Sequence, residues 1–132
     1  MLTKVTLRTH PIFLEIVNTK NYECSSKMNP GHIYKWENTN KLLWDNSGRF
    51  GKSAFFGVKT GNTPLAGPCL CVNYRDQGFD FIIVVLNCKT PEARFVEIPK
   101  LCVWAVNKIL RVRRTNLRPG LKKRLLRNMV HV

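Results

Sequence analysis

The sequence predicts an α+β fold, an antiparallel sheet with a C-terminal helix packed on it. Three observations predict it. Strand-like runs rich in β-branched and aromatic residues follow one another at Ala54 to Thr60, Cys69 to Tyr74 and Phe79 to Asn87. Arg75-Asp76-Gln77-Gly78 joins the last two as a hairpin turn. Thr90-Pro91-Glu92 then opens a helix: Thr caps, Pro occupies the first turn where no N–H is needed, and the acid sits at the positive end of the dipole.

The remaining elements follow in chain order. Residues 3–18 read as helical, interrupted at Pro11, which starts a second short helix ending near Asn18. Asn21 to Cys24 and His32 to Trp36 read as extended, separated by the turn-rich Ser25 to Gly31 with its Asn-Pro-Gly. Glu37 to Trp44 is a polar turn running into an apolar clamp, and a Gly/Ser/Asn loop covers Asp45 to Ser53. Phe81 to Leu86 lacks polar alternation, which predicts a central strand buried on both faces. Phe95, Ile98, Cys102, Ala105 and Ile109 form one apolar helical face, although Pro99 should kink that helix. Trp36 and Trp44 read as core anchors.

At 132 residues and 44% hydrophobic content the chain suits one globular domain. The formal charge of +14 is unevenly spread: residues 111–132 hold eight basic residues and no acid. Residues 1–110 therefore read as the domain and 111–132 as a basic tail. Leu117, Leu121, Leu125 and Met129 recur every four residues there, which makes the tail a candidate amphipathic helix with an anionic membrane surface as partner. A disordered, solvated tail is the plain alternative. No apolar run has the length of a signal-peptide core or of a spanning helix, so the chain as written reads as soluble and cytoplasmic by default. None of the five cysteines forms a Cys-x-x-Cys pair, so no metal site or cofactor is expected, and they read as buried reduced thiols. His10, His32 and His131 are isolated and read as non-catalytic.

The chemistry concentrates in Gly57-Val58-Lys59-Thr60-Gly61-Asn62-Thr63-Pro64-Leu65-Ala66-Gly67. Lys-Thr-Gly alone is a weak signal. Here it ends a strand that precedes an apolar hairpin and a capped helix, an order rarely met by chance, and the triplet belongs to the motifs of β-lactamases and penicillin-binding proteins. Ile16 to Tyr22, Trp36 to Trp44, and Phe81 to Leu86 supply further blocks, and Glu92-Ala93-Arg94-Phe95 leads into Lys100-Leu101. Taken together, residues 4 to 110 resemble the C-terminal half of the catalytic domain of serine-type, penicillin-binding D-alanyl-D-alanine carboxypeptidases. The fold implied is part of the β-lactamase/transpeptidase-like fold.

The resemblance implies that this strand lines one wall of the active-site groove, where a D-Ala-D-Ala-type peptide lies beside it as an added strand. It implies that Gly61 leaves room for the substrate backbone and that Lys59 supplies a fixed positive charge. Thr60 would offer its hydroxyl to the terminal carboxylate, and Arg94 a guanidinium to the same anion. The backbone N–H of Asn62 would be one oxyanion donor. The family reaction is acyl transfer to a serine. The four serines, Ser25, Ser26, Ser47 and Ser53, have neither lysine three residues on nor asparagine two residues on, so Ser-x-x-Lys and Ser-x-Asn are both missing. No nucleophile is assigned, and the chain alone is expected to be inactive. Family members are secreted or periplasmic. The missing motifs and missing signal together suggest a truncated chain, with an apolar sheet face left uncovered and a tendency to aggregate. Two other readings stand beside this one: a non-catalytic peptide-binding relative, and a basic nucleic-acid-binding module. The second is disfavoured because the aromatics lie in apolar strands rather than among the basic residues.

Overall fold

The computed structural model describes residues 2–44, 50 and 54–116. Two short helices, α1 (Leu2–Thr9) and α2 (Pro11–Asn18), open the chain with Pro11 at the first turn of the second. A hairpin of β1 (Asn21–Ser25) and β2 (Ile33–Glu37) follows, then a 3₁₀ turn over Lys41–Trp44. The main sheet is antiparallel in the order β3 (Phe55–Thr63), β4 (Gly67–Asp76), β5 (Phe79–Val85), and α3 (Ala93–Asn116) packs on it. The α+β class is as the sequence predicts.

Local chemistry accounts for the joints. Gln77 and Gly78 both take positive φ, 49° and 78°, the pairing a right-twisted hairpin requires at its two central positions. Asp76 Oδ1 accepts the Gln77 N–H at 2.9 Å and closes the turn. At the helix start, Thr90 Oγ1 accepts the Ala93 N–H at 3.1 Å, so the predicted cap is in place.

One face of the sheet carries the core. Phe55 of β3, Leu70, Val72 and Tyr74 of β4, and Phe79 and Ile83 of β5 meet Ile98 and Cys102 of α3, with Leu42 from the 3₁₀ turn. Each fully buried aliphatic side chain there contributes roughly 1.5–3 kcal/mol of transfer free energy. Phe95, Val106, Ile109 and Leu110 flank this cluster, continuing the apolar stripe read from the sequence. The helix runs past Pro99 and on through Arg111 to Asn116, beyond the compositional change at residue 110. The Arg113 guanidinium lies 5.4 Å from the Phe79 ring centroid. Leu117, Leu121, Leu125 and Met129 lie outside the described residues, and with them the membrane-anchor reading of the tail.

Three expectations are corrected. The strand beginning at Phe79 is not central: β5 is an edge of the described sheet, and Val84 is 52% exposed. An unbroken apolar run cannot distinguish a strand covered on both faces from one whose second face is only partly covered. Trp36 is not a core anchor. It lies half exposed on the β1–β2 hairpin, stacked between Tyr22 and Tyr34 with ring centroids 5.8 and 5.5 Å away. Only Cys102 is fully buried; Cys24, Cys69, Cys71 and Cys88 are half-buried free thiols. On α1 and α2, Leu2, Val5, Ile12 and Ile16 are exposed. Among the described residues no helix is long and apolar enough to cross a membrane.

Burial sets an alkaline limit on this fold. It pushes the Cys102 thiol from 9.0 up to about 12, and it is the largest cause of the rise of Tyr74 from 10.0 to about 12, with the Asp76 carboxylate adding to it. Both groups are neutral when protonated, and both hold their proton more tightly when folded. Above about pH 9 the unfolded chain therefore sheds protons that the folded chain keeps, and stability falls as the pH climbs toward 12. The urea midpoint is expected to drop between pH 8.5 and pH 11; a constant or rising midpoint contradicts this assignment.

Candidate substrate groove at the edge of β3

The Lys-Thr-Gly triplet sits on β3, which pairs with β4 on one side and is one of the two edge strands of the described sheet. Its orientation depends on one irregularity. The register runs Gly57↔Val72 and then Lys59↔Cys71, so Val58 is an extra residue and forms a bulge. In a regular strand Lys59 would share a face with Gly57 and turn toward α3. Because side chains alternate with period two, a single inserted residue reverses the face of everything after it. Lys59 and Gly61 thereby share the face of Cys71 and Cys69, away from α3, while Thr60 shares the face of Leu70. The strand also runs three residues past the predicted end, through Gly61-Asn62-Thr63.

Around the triplet the sequence builds a rigid frame. Asn38 and Asn40 make successive Asx turns: Asn38 Oδ1 accepts the Asn40 N–H at 3.0 Å, and Asn40 Oδ1 accepts the Leu42 N–H at 3.2 Å. Asn38 Nδ2 donates to the carbonyls of Val17 and Thr19, both at 3.1 Å, which fastens this segment to the end of α2. The same helix end grips β3, since the Gly57 N–H donates to Asn18 Oδ1 at 2.9 Å. Between the two asparagines, Thr39 presents its hydroxyl to that of Thr60 at 2.5 Å.

The predicted site residues are placed as follows. Lys59 is exposed and its ammonium donates to the Thr60 carbonyl. Gly61 opposes Cys69, and a methyl group on its Cα would meet the Cys69 Cβ at 3.7 Å, an ordinary contact. Asn62 is exposed and opposes Pro68. Arg94 is only 9% exposed; its Nη1 donates to the carbonyls of Gly61 at 2.8 Å and Cys69 at 3.3 Å, and its guanidinium lies over the Phe95 ring at 4.9 Å. The structure thus brings Lys59, Thr60, Gly61 and Arg94 to one end of the sheet. Two depressions meet there. One, of about 120 Å³, is lined by Asn38, Thr39, Asn40, Val58, Lys59 and Thr60. The other, of about 600 Å³, runs past Thr39 to Lys41, Trp44, Arg94 and Phe95.

Sequence reasoning missed Thr39 and the Val58 bulge. The alternating asparagines at 38 and 40 carry an Asx-turn signal that marks the segment as a rigid turn. Nothing local marks Thr39 as the neighbour of Thr60. Among the described residues no cluster of His, Cys, Asp or Glu could hold a metal ion.

Comparison with known proteins identifies the family. The sequence model of the D-alanyl-D-alanine carboxypeptidase family matches residues 1–90. A DD-transpeptidase from Streptomyces superposes with a TM-score of 0.62 at 29% identity, over 77% of this chain and 38% of that one. A penicillin-binding protein from Listeria monocytogenes, in its cefotaxime-bound form, gives a TM-score of 0.58 at 31% identity, over 76% and 36%. Its ampicillin-bound form gives the same values. The chain thus spans a little over a third of the length of these solved structures. Comparison with curated proteins gave no match. With the family profile covering two thirds of the sequence and the Lys-Thr-Gly strand at the sheet edge, the chain belongs to the D-alanyl-D-alanine carboxypeptidase family.

Proposed function

We propose that this chain forms the Lys-Thr-Gly wall of a groove that takes D-Ala-D-Ala-type peptides as an added strand. The observation that carries the reading is that β3 is an edge strand, with Lys59 and Gly61 on its face away from α3. An edge strand offers unpaired backbone donors and acceptors to an extended peptide. In this reading Lys59 supplies positive potential, Thr60 donates its hydroxyl to the terminal carboxylate, and Gly61 lets the peptide backbone approach. The Asn62 N–H is an oxyanion donor. Arg94 adds its charge from the adjoining cavity while tying down the Gly61 carbonyl.

The family reaction transfers the peptide acyl group from the terminal D-alanine to a serine oxygen, releases D-alanine, and then hydrolyses the ester. Residues 1–132 contain neither Ser-x-x-Lys nor Ser-x-Asn, so by themselves they bind the peptide without turning it over. The test is an NMR titration of the 132-residue chain with diacetyl-lysyl-D-Ala-D-Ala. Saturable shifts centred on residues 58–62 are expected, with none from the L-Ala-L-Ala peptide, and a fluorescent penicillin should leave no covalent label. Shifts confined to other regions sink the groove, and a stable penicillin adduct sinks the inactivity.

A further inference from the structure

We infer that Thr39 is a positioning residue: its hydroxyl orients that of Thr60 and so sets the preference of the groove for a terminal carboxylate. This rests on the groove reading above and names the device that gives it anion selectivity.

The two hydroxyl oxygens lie 2.5 Å apart. Each hydroxyl has one proton to donate and two lone pairs to accept with. One of the pair must donate to the other, and the direction decides what the groove can bind. If Thr60 donates to Thr39, its only proton is spent. If Thr39 donates to Thr60, the Thr60 proton is free to leave the pair toward a ligand. A carboxylate can only accept, so it selects the second direction: Thr39 to Thr60 to carboxylate. Each hydrogen bond in such a chain polarises the next. A C-terminal amide can both donate and accept, so it fits either direction and gains little from the fixed one.

Thr39 is fit to hold Thr60 because it is itself held. It sits between the two Asx turns, and the amide of Asn38 is fastened to two carbonyls at the end of α2. It also lines both depressions, so it stands where the small pocket at Lys59 and Thr60 opens into the larger cavity that Arg94 borders. Its side chain is exposed, so replacing the hydroxyl by a methyl group takes nothing from the core.

The experiment compares wild type, Thr39→Val and Thr39→Ser in the full chain. Diacetyl-lysyl-D-Ala-D-Ala and its C-terminal amide are titrated against each, and the Thr60 side-chain rotamer is read from three-bond NMR couplings. Thr39→Val should weaken the carboxylate peptide about five- to tenfold, the range of one neutral hydrogen bond such as the hydroxyl–hydroxyl bond removed. It should change the amide less than twofold, and Thr39→Ser should restore the wild-type ratio. The Thr60 rotamer should be single in wild type and averaged in Thr39→Val. Equal loss for both peptides, or an unchanged Thr60 rotamer, overturns the inference. Should wild type bind neither peptide, the groove reading falls by that result, and the rotamer still decides whether Thr39 positions Thr60.

Discussion

Gly57→Ala is expected to destabilise the fold by about 3 kcal/mol, the upper end of the cost of forcing a methyl group into a packed site. A Cβ at residue 57 would stand 2.3 Å from the Val17 carbonyl oxygen, far inside contact distance, and 3.6 Å from Asn40 Nδ2. The obstacle is backbone, not a side chain that can swing aside. It belongs to the end of α2, which also supplies the Asn18 oxygen that accepts the Gly57 N–H. Relief therefore requires moving α2 off β3, which costs that hydrogen bond and strains the Asn38 contacts to Val17 and Thr19. Urea titration followed by tryptophan fluorescence measures the loss. Gly61→Ala is the control on the same strand, where the added methyl makes only an ordinary contact with Cys69. Its midpoint should stay close to wild type. Equal midpoints for the two variants would show that α2 is not seated on β3 as described.

The contrast between these glycines marks how far the sequence could be read. Strand and turn chemistry is local, and it was legible: the three strands, the Gln77-Gly78 turn and the Thr90 cap all rest on residues within a few positions of one another. The Lys-Thr-Gly segment was legible as strand, although the strand runs on to Thr63. What could not be read depends on partners distant in the chain. The bulge at Val58 is a mismatch between β3 and β4, so it exists only in their register and leaves no mark on either strand alone. Yet it decides that Lys59 turns away from α3. The edge position of β5 depends on which strands are present to flank it, and its apolar residues gave no sign of that. The meeting of Thr39 with Thr60 spans 21 residues and is fixed by side-chain amides binding the end of α2. The resemblance assigns Arg94 to the substrate anion, and nothing in the sequence marks its two bonds to the sheet backbone.

Those bonds give Arg94 a structural role beside the one proposed for it in binding. Arg94→Ala is expected to cost about 3 kcal/mol, because it leaves two acceptors without a charged donor and empties the space of a buried side chain. The side chain is nine-tenths buried, its Nε has no hydrogen-bond partner, and among the described residues no carboxylate is ion-paired with it. Its charge is held instead by two carbonyls and the face of Phe95. An incompletely compensated buried cation raises the free energy of the empty groove, and an arriving carboxylate lowers it. Wild type should therefore melt at a higher temperature when saturated with a peptide ending in a carboxylate than with the corresponding amide. Arg94→Met separates the two roles, since it keeps much of the volume and removes charge and donors together. It should recover part of the stability lost in Arg94→Ala while reducing the extra stabilisation by the carboxylate peptide to the share that the Thr39–Thr60 pair supplies. Arg94→Lys keeps the charge but loses the flat guanidinium that lies over Phe95 and fixes Nη1 between both carbonyls, so it should fall between the two. An Arg94→Met protein that keeps the full wild-type difference between carboxylate and amide would place the anion away from Arg94.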